Sequence, residues 1–425
     1  MLSKQKAALV FVFITVLLDM LALGIIVPVL PKLILNFQGG RFASAAIIGG
    51  VFGTVWAVLQ FVVSPILGVL SDRVGRRPVI LLSNLGTSLD YVVMALAPTI
   101  WWLFLGRVIS GITTSSIAVA SAYVSDVTPA ERRAGAYGMI SACFGIGFVV
   151  GPAVGGFLGN IDPRLPFWVA AALSMVNFLY GLFVLPESLP HSLRSPFTWR
   201  RANPIGALGL LRRHHELFGL SIVNLIGYVA HEALPTIFVF YTIYRYAWDE
   251  RTIGLSLALV GIITIIISAA VIQPVVSRIG ERRALAAGLL SGATGFVLFG
   301  PSQLLFWIGL PVSCLWMLAS SSAQAIMTRR VLPTEQGELQ GAIGMLRSVG
   351  MLVGPGLFSG VFAYSVSSRH VWKLPSAAWF LGAILLGTAA LVAWIVTASS
   401  DEVPRTIDLS ASLKDVRPAD EPSGG

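Results

Sequence analysis

Five ionisable residues lie inside long apolar runs of this sequence: Asp19, Asp90, Arg107, His231 and Glu232. A charged side chain at the centre of a membrane helix costs about 2.5–3.5 kcal/mol, so such a residue usually has a function. A carboxylate in apolar surroundings can take up and release a proton near neutral pH. These residues therefore predict proton coupling, binding of a charged substrate group, or both. The competing interpretation is a set of structural pairs with polar neighbours.

The composition explains why these residues stand out. Of the 425 residues, 56% are hydrophobic and 12% are charged, whereas about 25% of the residues in soluble proteins are charged. The apolar residues form twelve blocks of roughly twenty, the length that crosses about 30 Å of hydrocarbon. We predict an all-α membrane protein, because a helix satisfies its own backbone hydrogen bonds in lipid. The predicted spans are 7–31, 44–67, 79–97, 100–124, 136–159, 165–186, 217–243, 253–276, 284–300, 303–327, 341–365 and 375–397.

Lysine and arginine are distributed unevenly between alternate loops. Of the 29 basic residues, 20 fall in the termini and the loops on their side, 7 fall in the other loops, and Arg107 and Arg347 lie within spans. Because basic residues favour the cytoplasmic side, both termini are predicted to be cytoplasmic. The net charge of +9 then reflects orientation in the membrane, and nucleic acid is not expected as a partner.

A polar connector divides the chain into two halves. We predict a six-helix bundle over residues 1–187, a cytoplasmic connector over 188–215, a second six-helix bundle over 216–398 and a disordered cytoplasmic tail over 399–425.

Two short patterns occur in both halves at nearly the same offset. Arg-x-Gly-x-Arg at 73–77 recurs 205 residues later at 278–282. Gly-x-x-x-Gly-Pro at 147–152 recurs 203 residues later at 350–355. Such a duplication predicts two pseudo-symmetric bundles, an architecture that places a substrate site between the halves near the middle of the membrane.

Residues 68–77, GVLSDRVGRR, form a charged turn between the second and third spans. Anchoring at the cytoplasmic surface explains the arginines but neither the aspartate nor the glycines. The turn resembles the loop signature of the major facilitator superfamily, which implies a salt-bridged cytoplasmic gate and not a substrate site. The predicted gate residues are Gly68, Asp72, Arg73, Gly75, Arg76 and Arg77, with Asp126 and Arg133 at the next cytoplasmic loop.

A second motif, GFVVGPAVGG at 147–156, lies in the fifth span. Small residues at four-residue spacing let helices pack closely. The full pattern also resembles the signature of proton-coupled drug exporters. Its residues are Gly147, Gly151, Pro152, Gly155 and Gly156.

Further segments resemble the tetracycline-efflux branch of the drug:proton antiporters. They include GIIVPVLP at 24–31 and TSLDY at 87–91. The resemblance implies that Arg107 takes part in proton coupling. It also implies an acid in the ninth span, where this chain has Gly292, and a histidine in the eighth, near Thr264. Glu232 is predicted to replace that acid or to bind a cationic group of the substrate; the alternative is a pair buried at the interface of the halves.

We therefore predict proton-coupled efflux of a small amphipathic compound across a bacterial inner membrane by alternating access, with a tetracycline-like drug as the best single substrate. The expected partners are this substrate, protons and the lipid bilayer, and a monomer is expected. No GxxxxGK[ST] loop occurs, so neither nucleotide nor another cofactor is expected. No catalytic or metal-ligating constellation is recognised, and the chain is not predicted to be an enzyme.

Two other functions compete with this prediction. The first is proton-coupled transport of a sugar or other metabolite, against which the exporter-like motif in the fifth span argues. The second is a non-transporting receptor or scaffold on the same fold, which would have no need of Asp19 or Asp72.

Overall fold

Long apolar helices make up almost all of the structure, which is a computed structural model. It describes residues 2–113, 116–129, 132–195, 215–332, 335–367 and 373–398, among which there is no strand. Within these ranges ten helices are long and apolar enough to cross a membrane. The fourth span, described over Ile100–Thr113 and Ser116–Val127, and the ninth, which begins with Glu281, Arg282 and Arg283, complete the twelve. The predicted fold class is confirmed.

The helices of the first half run as follows: Leu2–Ile26 with Leu30–Phe37 (first span), Phe42–Val74 (second), Arg76–Leu96 (third), Ile100–Thr113 with Ser116–Val127 (fourth), Arg133–Ile161 (fifth) and Leu165–Val184 (sixth). Several extend beyond the predicted limits, because their charged ends remain helical outside the apolar core.

The second half contains His215–His231 with Ala233–Tyr246 (seventh), Glu250–Ile266, the π-helix Ile267–Val271 and Ile272–Ile279 (eighth), Glu281–Leu298 (ninth), Gln303–Cys314 with Met317–Thr328 (tenth), Gln336–Val366 (eleventh) and Ala377–Val396 (twelfth). Most of the predicted connector, 196–214, and the predicted tail, 399–425, lie outside the described residues.

Proline interrupts two spans of the second half. A proline has no N–H, so it cannot donate to the carbonyl four residues earlier. Pro235 therefore leaves the carbonyl of His231 without its helical donor, and the seventh span breaks at Glu232. Pro274 likewise cannot donate to the carbonyl of Ala270, which lies in the π-helix Ile267–Val271 of the eighth span.

The sequence repeats correspond to repeated structure. Gly75 has φ +108° and joins the second and third spans, while Gly280 has φ +79° and joins the eighth and ninth. A side chain is strained at such φ values, which explains why glycine occupies both turns. Gly147 and Gly350 each pack against the first helix of their own half.

The halves meet mainly through two helix pairs, the fifth span with the eighth and the second with the eleventh, and the seventh span also contacts the first and second. Their close contacts lie toward the side of the molecule that carries Lys32, here called the Lys32 end. A Cβ on Gly156 would lie 2.9 Å from the Cα of Gly254, and a Cβ on Gly53 would lie 3.0 Å from the Cβ of Pro355.

At the opposite side, called the Arg73 end, the same helices are apart. A Cβ on Gly68, Gly138 or Gly344 would meet no described atom within 4 Å. The two halves are therefore closed at the Lys32 end and open toward the Arg73 end.

This arrangement predicts which introduced cysteines cross-link between halves. Thr54→Cys with Gly356→Cys should form a disulfide under mild oxidation, since a Cβ on Gly356 would lie 3.7 Å from Oγ1 of Thr54. Gly68→Cys with Gly344→Cys, on the same two spans, should cross-link much more slowly. Both pairs are compared in membranes, with Cys143 and Cys314 replaced by serine. Faster cross-linking of the second pair would contradict the arrangement.

Candidate functional site

Asp90 of the third span is fully buried in the first half. Its carboxylate lies against the fourth span, where a Cβ on Gly106 would come within 2.8 Å of Oδ1. Arg107 and Ser110 of the fourth span are the groups that act on this carboxylate. Burial of an ion is tolerable when an opposite charge compensates it. The structure thus brings the predicted residues Asp90 and Arg107 together.

Arg107 is also held by an aromatic ring. Its guanidinium carbon lies 5.7 Å from the ring centroid of Trp56, on the second span. A cation over the face of a tryptophan is attracted by about 0.5–2 kcal/mol. Arg107 therefore connects three spans of the first half, and it is half-buried.

Asp19 of the first span has a partner on the sixth span. Its Oδ1 accepts a hydrogen bond from Nδ2 of Asn177 at 3.0 Å. Asn177 is itself fully buried and also donates to the carbonyl of Thr15 at 3.2 Å. Sequence reasoning did not single out Asn177, although an amide inside an apolar span was a usable signal.

The phenol of Tyr91 is near enough to the carboxylates of both Asp90 and Asp19 for their charges to act on it. Asp90, Arg107 and Asp19 all act electrostatically on its phenol. The first half therefore holds one extended cluster of two acids and one cation, assembled from the first, third and fourth spans.

The motif at 147–156 packs the first span immediately beyond Asp19. A Cβ on Gly147 would lie 3.2 Å from the backbone N of Leu21, and one on Gly151 would lie 2.7 Å from the Cα of Gly24. Pro152 and Gly155 continue this contact, at Gly24 and Ile25 respectively, while Gly156 faces the eighth span. The motif thus joins the first span, the fifth span and the second half.

The charged turn at the Arg73 end forms ion pairs within the first half. Arg76 pairs with Oδ1 of Asp72 through Nη1 at 2.6 Å and with Oδ2 of Asp126 through Nε at 3.1 Å. Arg77 donates to the carbonyl of Leu182 at 2.8 Å. The predicted gate residues Asp72, Arg76 and Asp126 are therefore brought together.

Glu187 binds the backbone of the charged turn. The sequence had indicated this residue only as the boundary between the first bundle and the connector. Its Oε1 accepts from the backbone N–H of Arg76 at 2.8 Å, and its Oε2 from that of Arg77 at 3.3 Å. A carboxylate stabilises the N-terminus of a helix, here that of the third span.

The other predicted gate residues differ in their contacts. Arg133 donates to the carbonyls of Thr128 and Ser125 at 3.1 and 3.0 Å. Arg73 is exposed, and Gly68 faces open space as described above.

In the second half, His231 and Glu232 point to different neighbours. The His231 ring lies 5.7 Å from the ring of Trp316, centroid to centroid, while the Glu232 side chain lies against Gly354 of the eleventh span. A Cβ on Gly292 would come within 3.1 Å of Cγ of Trp316. Trp316 therefore fills the room that a side chain at position 292 would need.

A salt bridge spans the two halves at the Lys32 end. Nζ of Lys32 lies 3.0 Å from Oε1 of Glu250, whose side chain is only 8% exposed. Lys32 belongs to the first span and Glu250 begins the eighth. Neither was predicted as functional, because the predicted spans ended at residue 31 and began at 253.

Asp249 fixes the start of the eighth span beside this bridge. Its Oδ1 accepts from the backbone N–H of Thr252 at 2.9 Å. These hydrogen bonds to Thr252 lower the pKa of the Asp249 carboxyl, because they stabilise its charged form.

Comparison with known proteins agrees with this architecture. The model of the Major Facilitator Superfamily matches residues 12–355. The solved structure of the nucleoside transporter NupG covers 93% of this chain and 100% of its own, with a TM-score of 0.73 at 15% identity. The chain belongs to the major facilitator superfamily and is thus a multi-pass membrane transporter.

Curated relatives define the branch. The tetracycline resistance protein of class C from Escherichia coli is 38% identical over 387 residues, which is 90% of this chain and 95% of that protein. The class E protein from Escherichia coli is 36% identical over 91% of this chain and 93% of its own length. Within the superfamily, the chain belongs to the family of the tetracycline resistance proteins.

The Lys32–Glu250 bridge should stabilise the closed Lys32 end. Glu250→Gln is expected to slow the Thr54→Cys with Gly356→Cys cross-link by up to about fivefold, because the loss of a contact that contributes about 1 kcal/mol lowers the closed-to-open ratio by that factor. Glu281→Gln, which removes the Arg329–Glu281 pair within the second half, is the matched control and should leave the rate unchanged. An unchanged rate in Glu250→Gln would show that the bridge does not hold the halves together.

Proposed function

We propose that this protein exports a tetracycline-like drug in exchange for protons across a bacterial inner membrane. The observation that carries the proposal is the similarity to tetracycline resistance proteins, which spans about nine-tenths of the chain. The acids in the first half supply groups that can exchange protons. Export is driven by the proton gradient, without nucleotide or other cofactor, and the carrier is a monomer.

The Arg73 end faces the cytoplasm in this proposal, and both termini lie on that side. The distribution of basic residues supports the orientation. The opening toward the Arg73 end then admits a drug from the cytoplasm, while the Lys32 end is closed to the outside. The charged turn is released from the second half in this state, and its Asp72 pairs with Arg76.

Transport requires the opposite state as well. The halves rock about the central contacts, so that the Lys32–Glu250 bridge breaks and the Arg73 end closes. The charged turn then meets the second half and acts as the gate. The glycines of the fifth span permit this movement, because they present backbone instead of bulky side chains to their neighbours.

Asp19 and Asp90 are the proposed proton carriers of the first half. Asp19 is half-buried and bound to Asn177, whereas Asp90 is fully buried beside Arg107. A proton on either acid changes the charge of the cluster by one unit, and Arg107 then loses part of its compensation. Proton uptake is thereby linked to the conformation of the third and fourth spans.

Asp19→Asn should abolish drug export while leaving the fold intact. The amide keeps the shape of the side chain and its hydrogen bonding to Asn177, but it cannot carry a proton. Accumulation of labelled tetracycline in everted membrane vesicles should fall to background, and resistance of an efflux-deficient bacterium should be lost.

Asp162→Asn, in the loop after the fifth span, is the matched control and should transport like the unmodified protein. Full transport by Asp19→Asn would rule out this residue as a proton carrier. If the unmodified protein reaches the membrane and confers no resistance on a panel that includes tetracyclines, the proposal is wrong and a metabolite transporter takes its place.

A further inference from the structure

The first, third and sixth spans meet at Gly181, about one turn before the sixth span ends at the Arg73 end. A Cβ on Gly181 would lie 2.8 Å from Cδ2 of Leu81 and 3.1 Å from Cζ of Phe11. The ring of Phe11 also stacks on that of Tyr180, with the ring centroids 4.7 Å apart. Aliphatic and aromatic groups therefore join the three spans here, and this contact is called the floor.

One turn from the floor, toward the Lys32 end, each of the three spans carries a buried polar residue. These residues are Thr15, Asn84 and Asn177, each three or four residues from the floor residue of its own span and therefore on the same helix face. All three are fully buried. Nδ2 of Asn177 donates to the carbonyl of Thr15 at 3.2 Å. A layer of polar side chains thus lies above the floor.

A second polar layer follows one turn further on, and it contains Asp19. Nδ2 of Asn177 also donates to Oδ1 of Asp19 at 3.0 Å, which connects the two layers. Ser174 is the next residue on this face of the sixth span and is fully buried. Ser88 of the third span donates to the carbonyl of Ala171 at 3.0 Å and so holds the third span against the sixth. The two layers form one buried polar column that ends at the floor.

Several polar atoms of this column have no hydrogen-bond partner in the part of the chain that the structure describes. They are Oγ1 of Thr15, Nδ2 and Oδ1 of Asn84, Oγ of Ser174 and Oδ1 of Asn177. A buried polar atom without a hydrogen bond is rare, because the hydration it lost is not replaced. Five such atoms in one column indicate bound water, which typically makes about three hydrogen bonds at a buried site.

Water fits these atoms better than a metal cation does. Nδ2 of Asn84 is a hydrogen-bond donor, which a cation cannot use. Hard cations are bound by oxygen atoms alone. Water both donates and accepts, so about two molecules with about three hydrogen bonds each serve the five atoms and the carboxylate of Asp19.

Few charged or titratable groups surround the column. The sixth span contains no charged residue. Asp90 and Tyr91 come after the column on the third span, and Arg107 acts on Asp90 from the fourth. On the fifth span, the thiol of Cys143 donates to a carbonyl of the first span at 3.5 Å. The acid of the column is thus Asp19, and the third span leads from its level to a second acid, Asp90.

We propose that water held by Thr15, Asn84 and Ser174 is the route by which Asp19 receives its proton. The floor closes this route toward the Arg73 end, so the proton arrives from the side of the Lys32 end. Each water molecule accepts one proton and passes another to its neighbour, until the carboxylate of Asp19 is neutral. Asn84 is a positioning residue, which holds water and carries no proton itself. This inference rests on the proposed exchange of drug for protons, to which it adds the inbound path of the proton.

Asn84→Leu tests this route, because leucine keeps the branched shape of asparagine and binds no water. Two activities are measured in everted membrane vesicles. The first is accumulation of labelled tetracycline driven by the proton gradient. The second is exchange of labelled for unlabelled tetracycline without a gradient, which needs no net movement of protons. Driven accumulation should fall about 100-fold, the lower range of what positioned proton transfer contributes to a reaction, while the rate of drug exchange should stay unchanged.

Two further variants are compared with Asn84→Leu. Asn84→Ser keeps a polar atom and leaves room for water, so it should retain driven accumulation. Asn160→Leu makes the same change at an exposed position near the end of the fifth span and should transport like the unmodified protein.

Several outcomes would overturn the proposal. Normal driven accumulation in Asn84→Leu would show that the column is not the route, and the export function would stand. Equal loss of both activities, or the same loss in Asn84→Ser, would identify a structural amide. If Asn84→Leu does not reach the membrane, Thr15→Val decides, because it removes a hydroxyl with little change of shape, and full driven accumulation in it would rule out the route. If the unmodified protein neither accumulates nor exchanges tetracycline, the proposed function is wrong, and the route is wrong with it.

Discussion

Compensation of charge inside the hydrocarbon is the constraint on which this structure depends. A single ion at mid-membrane depth costs about 2.5–3.5 kcal/mol on an insertion scale, and a polar or charged partner reduces that cost. Asp90 lies beside Arg107, and Asp19 is bound by Asn177. Each acid is therefore tolerated only in a particular arrangement of neighbouring spans. A change of protonation favours a different arrangement, which is the physical requirement for coupling protons to movement.

The contacts between the halves meet a second requirement, that closure be reversible. At the Lys32 end glycines lie at the closest contacts between the halves: Gly156 meets the backbone of Gly254, and Gly53 meets the ring of Pro355, so the helices approach closely. The ion pair Lys32–Glu250 crosses that interface. A single ion pair contributes little beside the energy of the whole interface, so it can break in each cycle. The ion pairs of the charged turn lie within one half and do not oppose the separation at the Arg73 end.

Much of this arrangement could be predicted from the sequence. Hydropathy predicted the spans, the two repeated patterns predicted two similar halves, and isolated charges in apolar runs indicated the cluster of Asp19, Asp90 and Arg107. These signals are local, and membrane insertion makes them strong.

The partners of these residues could not be predicted in the same way. Asn177 and Glu187 are each more than 100 residues away in the chain from a group that they contact. Which side chains meet depends on the rotation of each helix about its axis, and a shift of one residue rotates a side chain by about 100°. The break at Glu232 also depends on a missing donor at Pro235, which sequence alone does not distinguish from a gentle kink.

Proton release on drug binding tests the central claim, which is that protons and substrate are linked through the buried acids. The purified protein is mixed with tetracycline in weakly buffered solution, and the change in pH is recorded together with the amount of drug bound. The account predicts that drug binding releases protons into the solution and that this release is reduced in Asp19→Asn. Drug binding with no proton exchange at any pH between about 5 and 8 would contradict it.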